Sequence, residues 1–175
     1  MIASLLVTNA TLVISYALGL GPLEVRYPST ADDAVKTNRA SISFRDDPKT
    51  EPVERNYWYS GFDRGHLAPA ADFAAPDCRE TLEATYLMSN ISPMYPKFNR
   101  GRWANIEAYA REVVKHYGAA KLVTIPVYGE TTNRCGRLTV PTAFLKIAYT
   151  GDVCVAAWLA DHVPDEQKTK GTKTK

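Results

Sequence analysis

Trp103-Ala104-Asn105-Ile106-Glu107-Ala108-Tyr109-Ala110-Arg111-Glu112-Val113-Val114-Lys115-His116-Tyr117-Gly118 decides the fold class. Trp103, Ile106, Tyr109, Ala110, Val113, Val114 and Tyr117 recur at three- and four-residue steps, the period of a helix with one apolar stripe. Gly118 supplies its stop. Downstream, residues 121–128, 138–149 and 153–159 read as strands, with 129–136 turning between the first two. Upstream, residues 3–18 read as one or two strands broken near Asn9, Gly19-Leu20-Gly21-Pro22 as a turn, and 23–27 as a returning strand. Residues 28–57 are polar and aperiodic, a long surface connection. A short helix over 76–82, capped by Asp77, and a short buried strand over 85–88 complete the series. Strands, loop, strand, helix and strands do not alternate as a doubly wound fold does. The chain is therefore α+β, with a largely antiparallel sheet and the main helix on one of its faces.

The totals narrow the function classes. The chain has 175 residues, 45% of them apolar and 23% charged, an ordinary globular balance. No run of about 18 apolar residues occurs, which excludes a spanning helix and any membrane partner of that kind. Residues 1–20 are apolar but lack a leading cation and alternate as a strand does, so they read as core and not as a targeting segment. A single domain is expected over 1–167, followed by a solvated Lys/Thr tail over 168–175. That tail holds four of the 21 bases, leaving 17 against 19 acids in the body. Phosphate contacts must then come from clustered arginines and not from a basic surface. Cys78, Cys135 and Cys154 have no metal-type spacing, and their odd number favours reduced thiols, Cys154 as a buried strand residue.

Residues 61–73, Gly61-Phe62-Asp63-Arg64-Gly65-His66-Leu67-Ala68-Pro69-Ala70-Ala71-Asp72-Phe73, suit neither a helix nor an interior strand and read as a reactive loop. His66 takes a proton near neutral pH, and Arg64 offers a planar fork to a phosphate. The irregular stretch 90–102 supplies what this loop lacks. Asn99 offers a neutral hard oxygen suited to Mg²⁺ or Ca²⁺. Glu107 lies eight residues on, roughly 80° around an ideal helix. Singly, each residue has an ordinary alternative: Asn99 a helix cap, Glu107 a surface partner of Arg111, His66 a satisfied loop histidine, Arg64 a partner of Asp63 or Asp72.

Jointly, Asp63-Arg64-Gly65-His66, Asn90-Ile91-Ser92-Pro93 and Phe98-Asn99-Arg100-Gly101-Arg102-Trp103 through Glu107 closely resemble the DNA/RNA non-specific endonuclease family, the ββα-metal nucleases. The segment from Arg39 to Asp47 and the later strand from Val140 to Lys146 extend the resemblance over most of the chain. It implies a metal-dependent endonuclease with a ββα-metal motif. In it His66 is the general base, Asn99 the single direct protein ligand for Mg²⁺ (Mn²⁺ or Ca²⁺ as other occupants), and Glu107 the residue orienting metal-bound water. Arg64 and Arg39 are the phosphate arginines, with Arg45 the alternative to Arg39. Asp63, Asn90, Arg100 and Arg102 are positioning candidates. Met94 stands where the family usually has Gln. The resemblance further implies DNA and RNA as partners through the phosphate backbone, a homodimer as one assembly, and a mitochondrial or secreted setting. Two rival classes are a binding protein that has lost catalysis and a metal phosphodiesterase for small substrates.

Overall fold

A computed structural model describes residues 23–26, 41–73 and 79–164, with only the backbone for the first of these segments. The expected strands over 3–18, Arg39, Cys78 and the 168–175 tail lie outside the described residues. In chain order the strands are β1 (Leu23–Arg26), β2 (Asp63–His66), β3 (Ile91–Met94), β4 (Ala119–Val127), β5 (Arg134–Cys135), β6 (Leu138–Thr139), β7 (Ala143–Thr150) and β8 (Val153–Asp161). The α-helices are α1 (Arg79–Ala84) and α2 (Ala104–Tyr117). A four-stranded sheet runs β1-β4-β7-β8, and β2-β3 and β5-β6 form two ribbons. Every pair among these strands is antiparallel, so the α+β expectation holds.

Helix α2 forms where the periodicity predicts, and Gly118 ends it at φ 78°, a value that glycine adopts without Cβ strain. Its buried residues Ile106, Ala110 and Val114 recur every fourth position and lie on the sheet. Ile106 joins Met94, Phe98, Trp103, Phe144 and Ala160 in one core cluster, while Val114 meets Ala70, Phe73, Leu82 and Ala120 in another. A third cluster of Tyr57, Met88, Ile91, Cys135 and Val140 lies under the β2-β3 ribbon.

The local expectations fail at several points. Asp63-Arg64-Gly65-His66 is a strand, not a loop, paired with Ile91–Met94 of the stretch expected to be irregular. Gly65 permits this. A Cβ there would lie 2.2 Å from the Met94 sulfur, so the missing side chain is the space that Met94 fills. Among the described residues, 85–88 make only one bridge, Leu87 to Arg45, before a 3-10 turn over Met88–Asn90. The expected long strand over 138–149 breaks between β6 and β7, around Pro141, which lacks a ladder donor. Helix α1 covers Arg79–Ala84, two residues past the expected end, and the expected start with its Asp77 cap lies outside the described residues. Cys154 is exposed and Cys135 buried, both as free thiols.

Candidate active site

Strand alternation sends Arg64 and His66 to one side of β2 and Asp63 and Gly65 to the other. On the first side, the His66 ring lies 5.4 Å from Phe44 and 5.2 Å from Tyr86, edge-on to the latter. The Arg64 guanidinium sits 5.4 Å from the Phe44 ring and 5.8 Å from Tyr57, with Glu54 at 3.5 Å. Its partner is thus neither Asp63 nor Asp72. The aromatic floor holds both side chains in place through their ring and guanidinium faces.

On the other side, Asp63 reaches the turn that precedes α2. Asn99 Nδ2 donates to Asp63 Oδ2 at 2.9 Å, and Arg100 donates through Nε (2.8 Å) and Nη2 (2.6 Å) to the two carboxylate oxygens. Desolvation opposes ionisation of Asp63, but the bonds from Arg100 and Asn99 outweigh it and hold its pKa below the usual carboxylate value. Because Nδ2 is committed to Asp63, the Asn99 amide presents Oδ1 as the remaining acceptor. Asn99 is not a cap. It lies in a π-helical turn over Phe98–Trp103, whose wider coil alters the phase between Asn99 and Glu107 that an ideal helix would give. A second tie runs from the Trp103 indole N–H to the His66 carbonyl at 3.4 Å. Strand β2 is therefore pinned to the head of α2 near both of its ends.

Asn90 is the staple behind the ribbon. It accepts from Ala68 N–H (3.0 Å) and donates to the carbonyls of Ala68 and Thr85 (both 2.9 Å). Arg102 and Arg45 are exposed, whereas Arg39 lies outside the described residues.

Glu107 is not the surface partner of Arg111. Arg111 pairs instead with Asp72, 39 positions earlier, at 3.2 Å. Burial pushes the Glu107 carboxyl up to about 7, with Lys146 and Arg111 opposing that rise and Asp72 adding to it. Lys146 is itself 1% exposed, and burial lowers its pKa against the pull of Glu107 and Asp72. Lys146 and Asp72 are the charged residues that sequence reasoning missed at this position. A lysine among strand residues reads as outward-facing, and only the alternation Phe144, Lys146, Ala148 could have flagged it.

The donor set fits a hard divalent cation: one oriented amide oxygen, one carboxylate, and no soft ligand beside them among the described residues. Among those residues no three His, Cys, Asp or Glu side chains converge as a cage. An ion held by Asn99 would keep most of its waters, as Mg²⁺ prefers.

Comparison with known proteins bears on the family and the fold. The sequence profile of the DNA/RNA non-specific endonuclease family matches residues 9–167. Mitochondrial nuclease of Saccharomyces cerevisiae is 32% identical over 142 residues, 67% of this chain and 43% of that protein. Nuclease C1 of Cunninghamella echinulata is 33% identical over 135 residues, 66% of this chain and 53% of its own length. Mitochondrial endonuclease G of Bos taurus is 28% identical over 150 residues, 74% of this chain and 50% of its own. The chain thus spans about half the length of these relatives. A chain in the crystal structure of the EndoG/EndoGI complex superposes with a TM-score of 0.62 at 23% identity, over 81% of this chain and 64% of that one, and so shares the fold.

Proposed function

The chain belongs to the DNA/RNA non-specific endonuclease family, and from that membership we propose that it hydrolyses phosphodiester bonds within DNA and RNA, with Mg²⁺ as cofactor and little regard to sequence. The observation that carries the reading is the double tie of β2 to the head of α2, Asp63 to Asn99 and Trp103 to the His66 carbonyl. It brings the strand bearing Arg64 and His66 against the element bearing Asn99 and Glu107.

Neutral His66 takes a proton from the attacking water, its ring steered by Phe44 and Tyr86. Arg64 releases Glu54 and binds the non-bridging oxygens as charge develops on them. Arg39, or Arg45 in its place, is the second phosphate arginine, and Arg102 presents an exposed cation toward the polymer. Asn99 would hold the ion through Oδ1, and Glu107 would accept hydrogen bonds from its hydration shell. Such an ion, when bound, would supply Lewis-acid stabilisation of the charge that develops on the phosphate. Asp63 and Arg100 keep the Asn99 amide turned the right way, and Asn90 keeps the segment after His66 in place. Contacts of this kind address the phosphate backbone and not base edges, so cleavage is sequence-tolerant and falls with salt. A mitochondrial setting is the one that the relatives' names support.

Supercoiled plasmid and RNA, incubated with Mg²⁺ and with EDTA, test the reading. Internal cuts in both with Mg²⁺ and none with EDTA are expected. Binding without cleavage in either arm would make this a non-catalytic relative. Turnover of a small phosphodiester alone would reassign the substrate class.

A further inference from the structure

Lys146 lies at the centre of β7, directly opposite Thr124 of β4 and beside Trp158 of β8. Its neighbours on the same strand face, Phe144 and Ala148, are fully buried, and an aliphatic residue would suit the row. A buried ammonium costs several kcal/mol unless it is compensated, so its presence demands an account. The compensation is specific. Nζ donates to Thr124 Oγ1 at 2.6 Å and to the Leu67 carbonyl at 3.3 Å, and lies 5.1 Å from the Trp103 ring. Thr124 Oγ1 also donates to the Leu67 carbonyl, at 2.9 Å. That carbonyl therefore has a partner without Lys146, and the lysine is not there merely to satisfy it. Leu67 directly follows His66, whose own carbonyl receives the Trp103 indole N–H. Two successive carbonyls at the exit of β2 are thus held from the sheet and from the head of α2.

We propose that Lys146 is a positioning residue of the site, fixing the backbone that leaves His66. The proposal rests on the role assigned above to His66.

The test is Lys146→Met, which keeps the length of the side chain and removes the charge. The variant folds, by circular dichroism and urea unfolding. Its kcat on polynucleotide falls about 30-fold while KM stays within about twofold, because the loss is one of alignment and not of substrate binding. Amide exchange at Leu67, whose N–H donates to the Asn90 carbonyl, quickens about tenfold beyond any change in global stability. A merely structural lysine would move stability and leave both readouts in place, and either one at its wild-type value overturns the proposal. Should Lys146→Met fail to fold, Thr124→Val removes the hydroxyl bridge instead. It lowers kcat about fivefold at unchanged KM, and wild-type kcat there is equally fatal. If the wild-type chain cuts no polynucleotide, the nuclease reading fails by itself, while exchange at Leu67 still decides the role of Lys146.

Discussion

Replacing Glu107 with Gln keeps the shape of the side chain and removes its charge, and the structure gives the sign and size of the effect. The Glu107 carboxyl is raised from 4.5 to about 7, chiefly by desolvation. The folded state therefore binds this proton more tightly than the unfolded chain does. Its contribution to stability is fully present below about pH 4.5 and is lost as pH rises through about 7. At about 1.4 kcal/mol per pH unit of displacement, the ceiling on that loss is about 3 kcal/mol. The amide of Glu107→Gln carries no such proton. The variant should gain on the wild type between about pH 4.5 and 8 by up to about 3 kcal/mol, or about 1–2 M in urea midpoint. The assay is urea unfolding of both proteins in EDTA across that range. The difference curve cancels the titrating groups that do not interact with residue 107. A flat difference, or one in which the variant loses ground as pH rises, would refute the reasoning. Added Mg²⁺ should favour the wild type over the variant at neutral pH, because a nearby cation stabilises the carboxylate.

Asp63→Ala frees the Asn99 amide and should weaken Mg²⁺ binding by about 10–100-fold in calorimetry; unchanged affinity would remove Asp63 as the orienting group. Gly65→Ala drives a Cβ into the Met94 side chain and should cost about 1–3 kcal/mol in urea unfolding, and Met94→Ala should cost less in the Gly65→Ala background than in the wild type. If the two costs simply add, the close approach is not the cause. Asn90→Ala leaves one buried and two partly buried backbone groups without their partner and should cost about 3 kcal/mol, measured in the same way.

Helix α2, its glycine stop and the antiparallel sheet were legible because each rests on a period within one segment. The nuclease motifs were legible as a joint pattern, though their local conformations were not. Gly65 looks like a loop signal until Met94, 29 positions later, is known to fill the space above it. The π-helical turn over Phe98–Trp103 leaves no periodic trace, so the ideal-helix phase between Asn99 and Glu107 was misjudged. Arg111 four residues after Glu107 suggested a helix-surface pair, but Asp72 arrives from a distant turn and takes it. Lys146 is the clearest case. Its partners Leu67 and Thr124 are 79 and 22 positions away, and only tertiary contact makes a lysine tolerable at the centre of that strand.

The central claim is that His66 performs proton transfer in metal-assisted phosphodiester hydrolysis. Cleavage rates of wild type and His66→Ala on plasmid and RNA with Mg²⁺, each protein checked for its fold by circular dichroism, test it most directly. A loss of at least about a hundredfold on both substrates is expected. A folded His66→Ala protein that cuts within about tenfold of wild type would contradict it, since proton transfer by a positioned base contributes more than that.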